Sequence, residues 1–242
     1  PPSGEPFMSS FTNRLHRLFG AALLLIACLA HGAAPNRAPD FTALPRSAKI
    51  LVMPADIELF SISAGGVVEP KAEWTEAAQR HVHAALQQRS STLGLKTLEL
   101  SEADADEHAE ISALHAAVAR SIAVHHFGQS SLALPTKNGK LDWSMGDAVA
   151  PLKARSNAEY ALFIWIRDSY ASAERQATMV MMALLGVGLP GGSQQAYASL
   201  VDLSNGRIVW FNQLRRASGD LREAAKAAES IGTLLNDFPE AK

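Results

Sequence analysis

The stretch EYALFIWIRDSYAS, Glu159 to Ser172, decides how the rest of the chain is read. It is apolar without interruption from Ala161 to Ile166, so an extended segment here has two apolar faces. Such a strand belongs at the centre of a sheet with helices on both sides. Beyond Ile166 the residues alternate, as expected where a central strand leaves the core. Asp168 falls at that exit and reads as part of a solvated face.

Outward from this strand the pattern stays regular. On its C-terminal side, QQAYASLVDL (Gln194–Leu203) and RIVWFNQLRR (Arg207–Arg216) are β-rich runs joined through Ser204-Asn205-Gly206. An Asn-Gly turn between such runs is the strongest short hairpin signal. The chain then ends in an amphipathic helix lined by Leu221, Ala224, Ala225, Ala228, Ile231 and Leu235, and stopped at Pro239. On the N-terminal side, KILVMP (Lys49–Pro54) reads as a buried strand and DIELFSISAGGVVEP as a loop with turn signals at Gly65-Gly66 and Pro70. AEWTEAAQRHVHAALQQRSS is a helix whose stripe carries Trp74, Ala78, His81, Val82, Ala85 and Arg89. LKTLEL is an alternating strand. Ser101 caps the acidic turn SEADADE before a helix with the stripe Ile111, Leu114, Val118 and Ile122. Residues 128–146 form an irregular excursion expected to include a small hairpin, followed by the short helix DAVAPLKARSN.

The resulting order, β-α-β-α-(α)-β-β-β-α, describes a single α/β domain of the three-layer type. It has a mixed sheet of about five strands, a C-terminal hairpin and flanking helices. No internal repeat is visible. The bulk composition agrees: of 242 residues 48% are hydrophobic and 19% charged, which excludes both a disordered chain and a multi-span membrane protein. A net charge of −2 without a basic stripe gives no reason to expect nucleic acid.

The N-terminal region reads as an address. Met8 is the expected initiator; Arg14, His16 and Arg17 form a basic n-region, and Leu18–Ala27 is an apolar run of ten residues. A spanning helix needs about 20 such residues, so the run suits a signal-peptide core. Leu25-Ile26-Ala27-Cys28 resembles the bacterial lipobox, in which cleavage precedes a lipidated cysteine. Ordinary secretion with cleavage in AHGAA (Ala30–Ala34) is the alternative. Cys28 is the only cysteine, which excludes an internal disulfide and a Cys-based zinc site. Leu29, rather than Asp, after the cysteine favours transport to the outer membrane. The expected organisation is a signal peptide with its upstream extension over 1–27, a lipidated cysteine and flexible tether over 28–47, and the α/β domain over 48–238.

No residue set stands out as catalytic. His81 and His83 point about 200° apart on a helix. His115 and His125 lie about 15 Å apart along theirs, and neither pair has the spacing of a zinc-binding helix. There is no nucleophile elbow, and GVGLPGG lacks the lysine of a phosphate loop. The expectation is no enzyme, no cofactor and no metal. One anomaly remains: ATMVMMALLGVGL (Ala177–Leu189) carries no charge. It is either a buried connector packed on the sheet or a Met-rich surface. As a surface it would meet a partner, another subunit or the membrane through Met179, Met181, Met182, Leu184, Leu185, Val187 and Leu189.

The phrase Ala158–Tyr170, an insertion, and then AYASLVDLSNGRIVWFNQL (Ala196–Leu214) resembles a group of bacterial envelope lipoproteins with the fold of the TolB amino-terminal domain. The CsgG-like and LpoB-like lipoproteins belong to that group. Its signature, a strand reading roughly "L-V-D-x-x-T-G-x-V-x-W", is matched by Leu200–Trp210, and KILVMP is similar to its first strand. The resemblance implies a non-enzymatic accessory or assembly protein of an envelope machine, lipid-anchored at the periplasmic face of the outer membrane. It would act by binding a protein partner or by homo-oligomerisation. CsgG-like members can form pore hairpins from insertions in this region, but Ala177–Leu189 lacks the alternation of a barrel strand. The alternative function is a periplasmic metal-binding protein or hydrolase using the histidines.

Overall fold

The computed structural model describes residues 36–100, 104, 106–217 and 219–242; Cys28, the signal-like segment and the Ser101 cap lie outside them. The strand that decided the reading is β5 (Tyr160–Ala171), the longest in the sheet. Its even-numbered residues Leu162, Ile164 and Ile166 face one buried cluster and its odd-numbered residues Ala161, Phe163 and Trp165 face the other. The period of two thus gives two cores, one on each side of the sheet.

Each core has its own helices. The first is covered by α1 (Ala72–Thr92) and the terminal helix α5 (Ala224–Leu234). The second is covered by α2 (Ala109–His125) and the short α3 (Ala150–Ser156). This is the expected three-layer α/β arrangement.

The mixed sheet has seven strands. One edge of β5 pairs antiparallel with β6 (Gly192–Asp202) from Tyr160↔Asp202 to Tyr170↔Gly192. The opposite edge is shared in tandem by β1 (Lys49–Val52), which pairs with Tyr160–Leu162, and β2 (Asp56–Ile62), which pairs with Trp165–Ala171; both run parallel to β5. Pro54 lies between them, and with no amide hydrogen it cannot continue a ladder. Outside β1 lies the parallel β4 (Lys96–Glu99), and outside β2 the antiparallel β3 (Val68–Pro70). On the far side β6 forms the expected hairpin with β7 (Ile208–Arg216).

Several expectations need correction. Residues 56–70, read as a loop, supply β2 and β3; Ile57 and Leu59 are buried while Asp56 and Glu58 are half-exposed, an alternation obscured by the glycines and proline that follow. Residues 128–146 hold 3₁₀ turns rather than a hairpin, and Ser144 bridges to Arg207 instead. On α2 the stripe is Ile111, His115, Ala119 and Ile122, because the small Ala119 and the hydrogen-bonding His115 face the sheet. On α5 it is Ala227, Ser230, Ile231 and Leu234; Ala224, Ala225 and Ala228 are exposed. Within the stretch read as a tether, residues 36–47 pack on the body: Ala38 and Leu44 are buried, and the Ala38 N–H donates to Val209 O at 2.9 Å.

Candidate functional site

The charge-free stretch 177–189 lies between β5 and β6. The chain leaves β5 at Ala171, forms the helix α4 (Ala173–Leu184), and returns at Gly192. Ser172 caps α4, its Oγ accepting from the Arg175 N–H at 3.2 Å. Arg175 is buried at the base of this arm. Its guanidinium donates to Pro190 O at 3.1 and 3.2 Å and to Ser63 O at 3.4 Å, tying both ends of the excursion to the β2–β3 turn.

The base is therefore fixed, while the far end is bare. Leu184 and Leu185 are 77% and 75% exposed, and Val180, Met181 and Val187 are exposed as well. Met179, Met182 and Leu189 are half-buried. The buried-connector reading fails on this exposure. The large exposed aliphatic side chains thus gather on one arm instead of lying scattered singly over the surface. Val180, absent from the expected set, belongs to the patch. Among the described residues no helix is long and apolar enough to cross a membrane.

The face of the sheet that carries the second core ends in rows that mix buried aromatic with half-exposed polar side chains, Trp165 and Tyr197 being 6% and 1% exposed. Register places Asp56, Trp165, Tyr197 and Gln213 in one row and Glu58, Arg167, Gln195 and Arg215 in the next. Trp165 and Tyr197 stack at 5.1 Å, and the Arg167 guanidinium sits 4.7 Å from the Trp165 ring. Arg167 is held by Asp56 at 2.7 Å and Glu58 at 3.3 Å. Burial pushes the Tyr197 phenol above its ordinary range, opposed by Arg215, by Arg120 and by a hydrogen bond from Gln195. The alternation after Ile166 was the sequence signal for this face.

The other face holds a buried polar network. Asp168, read from sequence as solvated, is 2% exposed. Its Oδ2 accepts from the Tyr170 hydroxyl and from Gln194 Nε2, each at 2.5 Å. Tyr170 Oη in turn accepts from the Leu221 N–H at 2.8 Å, and Gln194 Oε1 accepts from Arg216 Nε at 2.8 Å and from Ser230 Oγ at 3.1 Å. Burial raises the Asp168 carboxyl to about 6, against the lowering effect of these bonds and with Asp220 adding to the rise. Arg222 stacks over Tyr170 at 4.1 Å and Trp74 at 4.6 Å and pairs with Asp220 at 2.6 Å. The network ties the segment before α5 to β5 and β6. Tyr170→Phe is expected to cost about 1–3 kcal/mol in urea unfolding at neutral pH, because the Leu221 N–H is left buried without an acceptor.

The histidines are spread through the fold. His115 is buried, donates to or accepts from Ser199 Oγ at 2.8 Å through Nε2, and stacks on Phe163 at 4.8 Å. Nδ1 of His81, His108 and His125 meets the carbonyl oxygens of Leu221, Asp104 and Leu132 respectively. His83 lies on the wall of a groove of about 880 Å³ between α1 and the carboxyl ends of β1 and β4, 3.9 Å from Glu99. Among the described residues no three His, Cys, Asp or Glu side chains are placed to hold one metal ion.

No protein-family profile and no curated protein matches this chain. Among solved structures it is similar to the PelC dodecamer from Paraburkholderia phytofirmans, at 13% identity over 85% of this chain and 95% of that one, with a TM-score of 0.40. Lipoprotein GNA1162 from Neisseria meningitidis matches at 13% identity over 79% and 99% of the two chains, with a TM-score of 0.31. The LpoB C-terminal domain from Salmonella enterica matches at 12% identity over 74% and 87%, with a TM-score of 0.30.

Proposed function

We propose that this chain is an accessory protein of the bacterial cell envelope that works by binding rather than by catalysis. In this reading it is anchored by lipid on Cys28 at the periplasmic face of the outer membrane. The apolar end of α4 then docks on a protein partner or on a second copy of the chain. The observation that carries the reading is the exposed cluster Val180, Met181, Leu184, Leu185 and Val187 on an arm whose base is locked by Arg175. A fixed base lowers the ordering cost when such a surface binds. The lipobox-like Leu25–Cys28 and the phrase Leu200–Trp210 point to the same compartment and class.

The test is crosslinking in intact bacterial cells with the full chain, comparing wild type with Leu184→Glu/Leu185→Glu. Because both side chains are exposed, the double variant should shift unfolding stability by no more than about 0.5 kcal/mol. Its crosslinked species should be lost. Unchanged crosslinks in the well-folded variant would refute the α4 surface. In the same cells, palmitate incorporation that survives Cys28→Ala would refute the anchor.

A further inference from the structure

The chain has six methionines, and the five among the described residues fall into two sets. Met53 and Met145 are 2% and 5% exposed, both inside the second core. The other three, Met179, Met181 and Met182, crowd into four positions of α4. Met181 is 62% exposed. Met182 is half-buried. So is Met179, which lies against Gly191 on the returning chain, its Cε 3.1 Å from where a Cβ there would stand. The accessible thioether sulfur of the described residues is thus gathered on the apolar arm, with Met181 foremost.

Met181 stands three and four positions before Leu184 and Leu185, so the three share one side of the arm. Leucine already supplies apolar surface here at 184, 185 and 189, and it favours a helix as strongly as methionine does. What methionine adds is flexibility and a sulfur that can take up an oxygen. Residues 177–189 hold no Cys, Trp, Tyr or His to compete for an oxidant. They also hold no charge, so a new dipole among them changes the surface sharply.

We infer that Met181 is a reversible oxidation site whose sulfoxide switches off the docking surface of α4. The switch rests on the docking role proposed above and adds its control. A two-electron oxidant of the hypohalous acid class supplies the oxygen. With hypochlorous acid, the S–O bond forms as the O–Cl bond breaks, sulfur gives up two electrons, and chloride and a proton leave. Two thiols of a sulfoxide reductase reverse the step, becoming a disulfide while the oxygen departs as water. An S–O dipole pressed into an apolar contact without a hydrogen-bond donor weakens that contact by about tenfold. Met53 and Met145 stay shielded in the core, so the arm changes while the fold does not.

The experiment has two arms. The folded full chain is treated with substoichiometric hypochlorous acid and its peptides are analysed by mass spectrometry. Added oxygen should appear first on Met181 and stay absent from Met53 and Met145. In intact cells, the crosslinks that depend on α4, those lost in Leu184→Glu/Leu185→Glu, should be largely lost after the same treatment. They should return once methionine sulfoxide reductase has acted. In Met181→Leu, compared with its own untreated cells, the oxidant should change nothing. Oxygen reaching Met53 or Met145 as early as Met181, crosslinks indifferent to oxidised Met181, or an equal loss in Met181→Leu would overturn the switch and leave α4 docking in place. Absence of α4-dependent crosslinks from untreated cells would instead remove the docking role, and the switch with it.

Discussion

In an Asp168→Asn background, acidification from about pH 6 to about pH 4 is expected to remove about 2.5 kcal/mol of folding stability through His115. Burial against Phe163 and Ser199 lowers the His115 pKa to about 3, from an ordinary value of 6.5. The unfolded chain therefore takes up a proton that the folded chain refuses, and stability present above pH 6.5 is lost as the pH falls towards 3. Asp168 acts in the opposite direction. Its carboxyl is raised to about 6, so the folded state binds the proton more tightly, and the penalty present above that pH disappears as the pH falls to 3.8. In the wild type the two slopes nearly offset each other between those values. Urea unfolding at a series of pH values separates them: Asp168→Asn should lose stability on acidification, and His115→Gln should gain it. Asparagine keeps an oxygen for both Tyr170 and Gln194, so the first variant retains the network. Parallel pH profiles for the two variants would show that neither group titrates as its surroundings require.

Gly206→Ala should lower stability by about 3 kcal/mol or more, from two sources acting together. The backbone there has φ +71°, where an L side chain is strained. An added Cβ would also meet the Gly146 carbonyl oxygen and lie 2.7 Å from its nitrogen and 2.9 Å from its carbonyl carbon. These are backbone atoms, held in place by the Met145 N–H donating to Gly206 O at 2.8 Å, so neither side can yield. Gly139 provides the control. Its φ is +68° but nothing lies within 4 Å of its Cβ position, so Gly139→Ala should show the strain alone, about 1 kcal/mol. Thermal unfolding of the two variants distinguishes strain from collision; equal shifts would mean that the 142–146 segment moves aside freely.

What could be read from the residues follows from how much each side chain decides. β5 and the β6–β7 hairpin were legible because aromatic and β-branched residues and the Asn205-Gly206 turn leave few alternatives. β2 was missed because its alternation carries only two strongly apolar inward residues, Ile57 and Leu59, before a glycine-rich turn. The α5 stripe slipped because alanines at 224, 225, 227 and 228 do not distinguish one face from another; Ser230 and Gln194 settle it by hydrogen bonding, across 36 residues of sequence. Asp168 looked solvated for the same reason: its partners Tyr170, Gln194 and, through Tyr170, Leu221 converge only after folding. Between buried connector and surface, the α4 stretch could not be resolved from composition. In the fold Arg175 clamps the base of the arm, while Leu184 and Leu185 at its far end stay exposed.

The interruption at Pro54 also governs how the molecule comes apart. Since β1 and β2 share one edge of β5 end to end, the outer pairs β1–β4 and β2–β3 have no ladder in common. Either can fray while the other stays closed. β3, paired over three residues and exposed at each, is expected to open first, with the Val68 and Glu69 amides taking up deuterium by a local event. The amides of β5, flanked along both edges, are expected to exchange last in a hydrogen-exchange measurement. Two independent margins on one spine make the spine the clock of global unfolding.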